Sequence, residues 1–159
     1  GMMAAWGDYL LLCDADLSVS LQELPRFLPP ATEADVVIAS RELPGARRLG
    51  EPAHRHLMGR AFNRLVRWVT GLPFLDTQCG FKLFRRSTTQ DLFALQRIDG
   101  FGFDVELLYL ALRRGLEVVE LPVEWQYGEE SRVHPWRHSL AMLGEALTVR
   151  WNSWRGRYL

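Results

Sequence analysis

Two aspartates, Asp14 and Asp16, stand at the end of a short apolar run, and their type and spacing suggest a binding site. The run has no polar alternation, which is typical of a strand buried on both faces in a parallel sheet. On an extended backbone the two side chains leave on the same face, at the carboxyl end of the strand, where open α/β sheets bind ligands. Carboxylates so close repel each other unless a cation lies between them. The alternative is that both are solvated loop caps, with Asp16 capping a following turn, and the local sequence favours neither.

Strands and helices alternate along the chain, which predicts an α/β fold. A second buried strand is predicted at 35–40, and helical spacing at 20–28 makes a βαβ unit with parallel strands. The loop expected at 41–52 holds two prolines and two glycines. The remaining predictions are helices at 56–70, 87–95, 103–114 and 136–158, and strands at 81–84 and 117–126.

The composition is that of an ordinary globular protein, and we expect a single domain over residues 1–159. Hydrophobic residues make up 48% and charged residues 24% of the chain. Nineteen basic and nineteen acidic residues give a formal net charge of zero, so no global field favours nucleic acid as a partner. The two cysteines, Cys13 and Cys79, form no disulfide framework and favour a reduced, cytoplasmic protein.

The predicted C-terminal helix combines tryptophans and arginines. This combination is typical of amphipathic helices that lie flat in a membrane interface. The simpler interpretation is that Trp151 and Trp154 pack on the domain while the arginines face water. The sequence leaves both open.

Several separated blocks resemble one family. Asp14-Ala15-Asp16 resembles the DXD motif of GT-A glycosyltransferases. The other blocks follow in the family's order, namely Ser40-Arg41, the helix from Arg55 to Asn63, DTQCGFKLF at 76–84, FDVELL at 103–108 and LPVEW at 121–125. Together they resemble the family 2 enzymes that move a sugar from a nucleotide onto a polyprenyl phosphate, the dolichyl-phosphate β-glucosyltransferases, the dolichol-phosphate mannose synthases and their bacterial relatives.

The resemblance implies a fold. It predicts a partial GT-A (Rossmann-like) fold with a mixed, mostly parallel sheet flanked by helices. On this resemblance, residues 1–159 would be the C-terminal portion of that domain, without the N-terminal half that binds the nucleotide's base and ribose.

The resemblance also implies roles for individual residues. Asp14 and Asp16 would hold Mg²⁺ or Mn²⁺ against the diphosphate of a UDP-glucose or GDP-mannose type donor. Asp76 and Gln78 match the sugar-side loop. The acceptor, a dolichyl or undecaprenyl phosphate, would be bound by cationic and hydroxyl side chains, namely Arg41, Arg55, Ser131 and Arg132. Its phosphate has a second pKa of about 6 and is therefore ionised at neutral pH, so the attack needs no strong general base.

Other polar residues in these blocks carry competing interpretations. Gly80 is expected to serve backbone geometry. Lys82, on a short strand, could approach phosphate, although such a lysine more often lies on a solvated strand face. Asp104 and Glu106 diverge by roughly 200° on a helix, so they cannot share one small target. Each of these acids is either a helix N-terminal charge in an ion pair or a part of the site.

Two functions follow from these observations. The first is metal-dependent, inverting transfer of a sugar to a polyprenyl phosphate, with peripheral contact to the cytoplasmic membrane face. The second is a truncated, catalytically inactive remnant that acts as a folding, dimerising or partner-binding module, because missing strands would leave a sheet edge that needs cover. A homo-oligomer is compatible with both.

Overall fold

Among the residues that it describes, the computed structural model shows a four-stranded sheet, a two-stranded sheet and five helices. It describes the backbone of residues 1–128 and 135–158, and the side chains of the same residues except 135–139. The strands are β1 (Tyr9–Cys13), β2 (Val36–Ser40), β3 (Arg47–Leu49), β4 (Phe81–Arg85), β5 (Val118–Pro122) and β6 (Glu124–Gln126). The helices are α1 (Leu24–Phe27), α2 (Ala53–Thr70), α3 (Arg86–Leu95), α4 (Phe103–Arg113) and α5 (Pro135–Trp154), with 3₁₀ turns at Met2–Ala4 and Leu21–Glu23. The predicted α/β class is confirmed.

The strand β4 lies between β1 and β2 and runs opposite to both. The order is β1-β4-β2-β5, with antiparallel pairing of β4 to each neighbour and parallel pairing of β2 with β5. Three of the four strands therefore point the same way, as expected for a GT-A type domain. The predicted βαβ unit needs one correction, since β1 and β2 share a direction but are separated by a strand from later in the chain.

The two strands predicted to be buried differ in their surroundings. Every residue of β2 is buried, whereas in β1 only Leu10 is. β1 lies at the end of the four-stranded sheet, and β4 is its antiparallel neighbour. The prediction that β1 is buried on both faces of a parallel sheet is therefore wrong, because an apolar run does not reveal how many neighbours a strand has.

Apolar side chains cover both faces of the sheet. On one face, Ile38 belongs to a cluster with Leu107 of α4 and Val149 of α5. On the other face, Val37 belongs to a cluster with Phe27 of α1. Because successive side chains of a strand point to opposite faces, these two layers bury the whole of β2 and fix its end at the sheet edge.

Several predicted boundaries move in the structure. The helix α2 begins at Ala53, earlier than predicted, and ends where Gly71 adopts a left-handed φ of 75°. The predicted loop at 41–52 contains β3, and the predicted strand at 117–126 is divided into β5 and β6. The two short strands β3 and β6 pair in parallel.

The helix α5 turns tryptophans towards solvent. Trp154 is 79% and Trp151 is 49% exposed, while Ala146 and Val149 on the opposite side of the helix are buried. The interpretation in which both tryptophans pack on the domain is therefore wrong. Small apolar residues on the other face of α5 already fill the contact with the core.

Candidate functional site

The ends of β1 and β2 and the start of β4 meet at one edge of the sheet. Asp14 follows β1, and Arg41 follows β2. Because β4 runs in the opposite direction, the residue before it, Gly80, lies at this edge and accepts a hydrogen bond from the Asp14 backbone N–H at 2.8 Å. The topology therefore brings Asp14 and Arg41 to the carboxyl ends of parallel strands, where α/β sheets bind ligands.

The chain turns immediately after β1. The Leu17 N–H donates to the Asp14 carbonyl at 3.1 Å, and Leu17 has a positive φ of 51°. The Asp16 carboxylate accepts the Ser18 N–H at 3.0 Å, so Asp16 does cap a turn. The prediction that the two carboxylates share the face of an extended strand is wrong in its geometry, because β1 ends at Cys13. Both aspartates are exposed to solvent, although the surrounding protein partly encloses the Asp14 carboxylate.

The Asp14 side chain lies directly over Gly80. A Cβ atom placed on Gly80 would be 1.8 Å from Asp14 Oδ2, which is far inside the contact distance. Only glycine therefore fits beneath this carboxylate in its present position. Gly80 has no left-handed φ, so the structure does not show the predicted need for special backbone geometry and shows instead the close approach of a side chain.

The Asp14 carboxylate carries a negative charge that its surroundings do not compensate. No described residue donates a hydrogen bond to it. Partial burial raises the pKa of Asp14, and the charges of Asp104 and Asp16 raise it further. Lys82 and Arg41 act on that pKa in the opposite direction without cancelling the shift. A cation bound beside Asp14 would relieve this repulsion.

Asp76 and Arg41 form a bidentate ion pair. Arg41 Nε lies 2.6 Å from Asp76 Oδ2, Arg41 Nη2 lies 2.9 Å from Oδ1, and the Arg41 backbone N–H donates to Oδ2 at 3.0 Å. Burial alone would raise the pKa of Asp76, but the Arg41 charge and these hydrogen bonds outweigh it and lower the pKa to about 2. The Arg41 guanidinium also lies 5.4 Å from the centre of the Trp125 ring, within cation–π range. The structure thus joins a residue predicted on the acceptor side to one predicted on the sugar side.

The loop between α2 and β4, which carries Asp76, is held by two further polar side chains. Glu120 of β5 accepts the backbone N–H groups of Leu75 at 2.9 Å and Asp76 at 2.7 Å. Asn63 of α2 accepts the Thr77 hydroxyl at 2.9 Å and donates to the Leu75 carbonyl. The loop is therefore fixed by side chains of β5 and α2.

Gln78 lies in the same loop and has unused hydrogen-bonding capacity. Its backbone N–H donates to Asp76 Oδ1 at 3.2 Å. Its side-chain Nε2 is buried and has no hydrogen-bond partner among the described residues. Buried donors without partners are rare in folded proteins, and an oxygen atom of a ligand would satisfy this one. Its sugar-side role stays a prediction that this observation fits.

Lys82 and Asp104 form a buried pair that sequence reasoning did not assign to the site. Lys82 is fully buried, and its Nζ lies 2.6 Å from Asp104 Oδ2 and 2.6 Å from the Cys79 carbonyl oxygen. The prediction of a solvated strand face for Lys82 is wrong, because Lys82 shares a face of β4 with Phe84 and α4 packs over that face. Asp104 Oδ1 is also buried, and within the described parts of the chain it has no partner. The sequence did contain a signal for this pair. A lysine lies within the otherwise apolar predicted strand 81–84, and an acid lies at the start of an apolar helix.

Glu106 points away from this pair. It is fully buried and accepts the backbone N–H groups of Arg97 at 2.9 Å and Ile98 at 2.8 Å, and the Tyr158 hydroxyl at 2.5 Å. The prediction that Asp104 and Glu106 cannot share one target is confirmed. Glu106 joins the segment between α3 and α4 to the C-terminal residues.

The predicted acceptor-phosphate residues have different partners. Arg55 in the first turn of α2 donates to the Tyr127 hydroxyl, and its guanidinium lies 5.4 Å from the centre of that ring. Arg41 is engaged by Asp76, as described above. Ser131 and Arg132 lie outside the described residues, so their roles stay predictions.

The donor set suits a hard divalent cation that takes further ligands from its substrate. Within residues 1–128 and 135–158, no group of three or more His, Cys, Asp and Glu side chains is placed to hold a metal ion. Asp14 and Asp16 would therefore supply two carboxylates. Mg²⁺ is typically bound by one or two carboxylates together with substrate phosphates and water. The Asp14 carboxylate above Gly80 and the exposed Asp16 carboxylate fit Mg²⁺, or Mn²⁺ with the same ligand type.

Comparison with known proteins points to one family. Residues 1–93 match the profile described as glycosyl transferase family 2. The chain is similar to an undecaprenyl-phosphate mannosyltransferase of Micrococcus luteus, with 32% identity over 170 residues, 96% of this chain and 67% of the relative. It is similar to a dolichyl-phosphate beta-glucosyltransferase of Drosophila melanogaster, with 34% identity over 163 residues, 95% of this chain and 48% of the relative. A dolichyl-phosphate beta-glucosyltransferase of Trichomonas vaginalis is 33% identical over 140 residues, which are 84% of this chain and 42% of the relative.

The chain spans between 42% and 67% of the length of these three relatives. None of the helices described in the structure is long and apolar enough to cross a membrane.

Proposed function

Because the chain belongs to glycosyl transferase family 2, we propose that it acts in the transfer of a sugar from a nucleotide-sugar donor to a polyprenyl phosphate. The proposal is supported by relatives that are named for transfer to undecaprenyl phosphate and dolichyl phosphate. The matched relatives are longer than this chain, so the complete activity is part of the proposal.

The observation that carries the proposal is the uncompensated charge of Asp14 beside Asp16. Asp14 and Asp16 would hold Mg²⁺ or Mn²⁺ together with the donor diphosphate. When bound, the cation would neutralise the charge that develops on the leaving nucleotide. The chain's own contribution is to keep Asp14 over Gly80, where the repulsion from Asp104 and Asp16 makes a bound cation favourable.

The donor sugar would lie against the fixed loop between α2 and β4. Gln78 Nε2 and Asp104 Oδ1 are a buried donor and a buried acceptor without partners among the described residues. Sugar hydroxyls both donate and accept hydrogen bonds, so they can satisfy both atoms. Asp76 would act on the sugar side by positioning this loop through Arg41. The two candidate sugars for transfer are glucose from UDP-glucose and mannose from GDP-mannose.

The acceptor phosphate would attack as an anion. One phosphate oxygen forms a bond to the anomeric carbon while the bond from that carbon to the nucleotide diphosphate breaks, so a single displacement inverts the configuration. Arg41, Arg55, Ser131 and Arg132 are the proposed contacts of the phosphate, because arginine suits phosphate oxygens. The polyprenyl tail keeps the acceptor in a membrane, and we expect the reaction at its cytoplasmic face.

Calorimetric titration tests the donor half of this proposal. We expect UDP-glucose or GDP-mannose to bind with Mn²⁺ present and to lose binding when EDTA is added. Asp16→Ala should abolish the binding, whereas Asp91→Asn, which changes an exposed carboxylate on α3, should not. If neither donor binds to the folded protein, the proposed transfer fails, and the alternative of a dimerising or partner-binding module is favoured.

A transfer assay tests the acceptor half. Donor with a labelled sugar is supplied with undecaprenyl phosphate or dolichyl phosphate in detergent, and the lipid product is examined by NMR. We expect an anomeric configuration opposite to that of the donor. A product with retained configuration would contradict the single displacement.

A further inference from the structure

The outward face of α5 carries a continuous apolar stripe, which we define as Leu140, Leu147, Trp151 and Trp154. These side chains are 72%, 55%, 49% and 79% exposed, respectively. Their separations of seven, four and three residues place them on one side of a helix. The exposed face of a helix in a globular protein is normally polar, whereas this exposed stripe is apolar.

Aromatic and cationic groups are combined along the stripe. The rings of Trp151 and Trp154 lie 5.4 Å apart, and the Arg155 guanidinium lies 4.5 Å from the centre of the Trp151 ring. An open groove is lined by Leu147, Trp151 and Trp154 together with Thr148 and Arg150. Large amphipathic rings beside arginines are typical of the boundary between headgroups and acyl chains.

The charge around the stripe is one-sided, although the whole chain is neutral. Residues 140–158 contain three arginines and a single carboxylate, that of Glu145, which accepts the Gly102 N–H at 2.6 Å. The helix α2, which packs beside α5, contains four arginines and no acid. α2 also exposes apolar side chains, with Leu57 at 70% and Trp68 at 83%.

We propose that the α5 stripe is a docking surface for a lipid bilayer that carries anionic headgroups. The tryptophans and leucines would enter the interfacial layer while the neighbouring arginines meet the headgroup charge. A second copy of the chain fits this surface less well, because like faces would bring the arginines of two copies together. The inference concerns a surface on α5 and does not depend on the transfer of sugar.

Vesicle flotation with the full chain tests this surface. The probes are vesicles of phosphatidylcholine alone and vesicles in which roughly one-third of the lipid is phosphatidylglycerol, both free of polyprenyl phosphate. We expect binding to the anionic vesicles, with a blue shift of tryptophan fluorescence. Absence of polyprenyl phosphate from the vesicles separates membrane docking from binding of the proposed acceptor.

Two double variants separate the apolar and the electrostatic contributions. Trp151→Ser/Trp154→Ser should weaken binding to anionic vesicles by roughly tenfold or more, because interfacial binding scales with buried apolar area. Arg150→Gln/Arg155→Gln should weaken the same binding by roughly thirtyfold, since each arginine near an anionic surface contributes about fivefold, and should leave partitioning into neutral vesicles unchanged.

Matched controls keep the result specific to the stripe. Trp6→Ser removes a tryptophan that is 90% exposed near the N-terminus, and Arg26→Gln/Arg47→Gln removes two exposed charges on α1 and β3. Both controls should bind vesicles like the parent chain. Leu140→Ser/Leu147→Ser provides a second test of the stripe if the tryptophan variant does not fold, as judged by circular dichroism.

Three results would overturn the docking proposal. One is a parent chain that does not float with anionic vesicles, and another is a control that loses as much binding as the stripe variants. The third is a dimer in sedimentation that the tryptophan variant abolishes, which would assign the stripe to a second copy. Loss of donor binding in Asp16→Ala with vesicle binding intact would show that the two proposals stand or fall separately.

Discussion

Asp76 and Asp14 lie at the same edge of the sheet but in opposite electrostatic surroundings. Asp76 receives two hydrogen bonds from the Arg41 guanidinium and further ones from backbone N–H groups, and its pKa falls to about 2. Asp14 receives no hydrogen bond on its carboxylate from the described residues, and its pKa is raised.

This difference in hydrogen-bond partners distinguishes a structural acid, Asp76, from an acid that is available to bind a ligand, Asp14. The charge of Asp76 is neutralised within the protein by Arg41, and this pairing fixes the loop between α2 and β4. Asp14 is held in place by the backbone at Gly80 while its charge is repelled by Asp104 and Asp16. Residue type and position at the edge are the same, so only the partners decide the role.

Removing the charge of Asp76 should give the largest effect on stability. Asp76→Asn leaves the Arg41 guanidinium, which is only 21% exposed, without its anion. We expect a loss of about 3 kcal/mol in the free energy of unfolding, as for other broken buried pairs. Urea unfolding followed by circular dichroism measures it, with Asp91→Asn as the exposed control. A loss as small as that of the control would show that the pair contributes nothing.

Replacing the buried Lys82 should give the second largest loss of stability. Lys82→Met leaves Asp104 Oδ2 and the Cys79 carbonyl without a donor, and we expect a loss of about 2 kcal/mol in urea unfolding. Adding Asp104→Leu removes the stranded carboxylate and should recover part of that loss. If the double variant were less stable than the sum of the two single changes predicts, the proposed pairing would be wrong.

Lowering the pH should reveal the contribution of the Arg41–Asp76 pair to stability without any mutation. The folded pKa of Asp76 lies below its ordinary 3.8, at about 2, so the unfolded chain binds the proton first as the pH falls. The contribution is present above about pH 4 and is lost between about pH 4 and pH 2, amounting to about 2 kcal/mol. Thermal unfolding at several pH values should show this slope in the parent chain. The Asp76→Asn variant should lack that part of it, and an unchanged slope would contradict the assignment.

Gly80 tests the position of the Asp14 carboxylate. Gly80→Ala places a methyl group where Asp14 Oδ2 now lies, and the flexible side chain must move away. We expect a change of only about 1 kcal/mol in unfolding but a loss of roughly tenfold or more in Mn²⁺-dependent donor binding, as for other supports of metal ligands. Unaltered donor affinity in calorimetry would show that the position of this carboxylate is not important for the ligand.

Neutralising Asp14 should give the smallest change in stability. Its raised pKa means that the ionised carboxylate is less favourable in the folded than in the unfolded chain, so Asp14→Asn should be neutral or slightly stabilising, within about 0.5 kcal/mol. The same change should abolish metal-dependent donor binding. A strongly destabilised Asp14→Asn would place this residue with Asp76 among the structural acids.

The local sequence pattern was sufficient to predict the α/β class and the position of the two aspartates directly after β1. It was also sufficient for α2, whose apolar periodicity and terminal Gly71 are both local signals. The sequence pattern was insufficient to predict the burial of Lys82, because that burial depends on α4, which comes later in the chain and packs over that face of β4.

The partners of the site residues were equally hidden from sequence. Arg41 and Asp76 are 35 residues apart, and nothing local indicates that they bind each other. The same holds for α5, where the periodicity located the helix but not the face that meets the core. Both cases need the tertiary arrangement, since each residue had more than one chemically reasonable neighbour.

The position of β4 has a consequence for the order in which the protein opens. This strand is hydrogen-bonded to β1 and β2, and β2 is likewise hydrogen-bonded on both sides. The amides of these two central strands should therefore exchange with solvent most slowly, near the limit set by global unfolding. Each of these pairings joins segments more than 40 residues apart along the chain, which favours slow folding. The site edge would therefore assemble late and, once formed, persist until the whole sheet is lost.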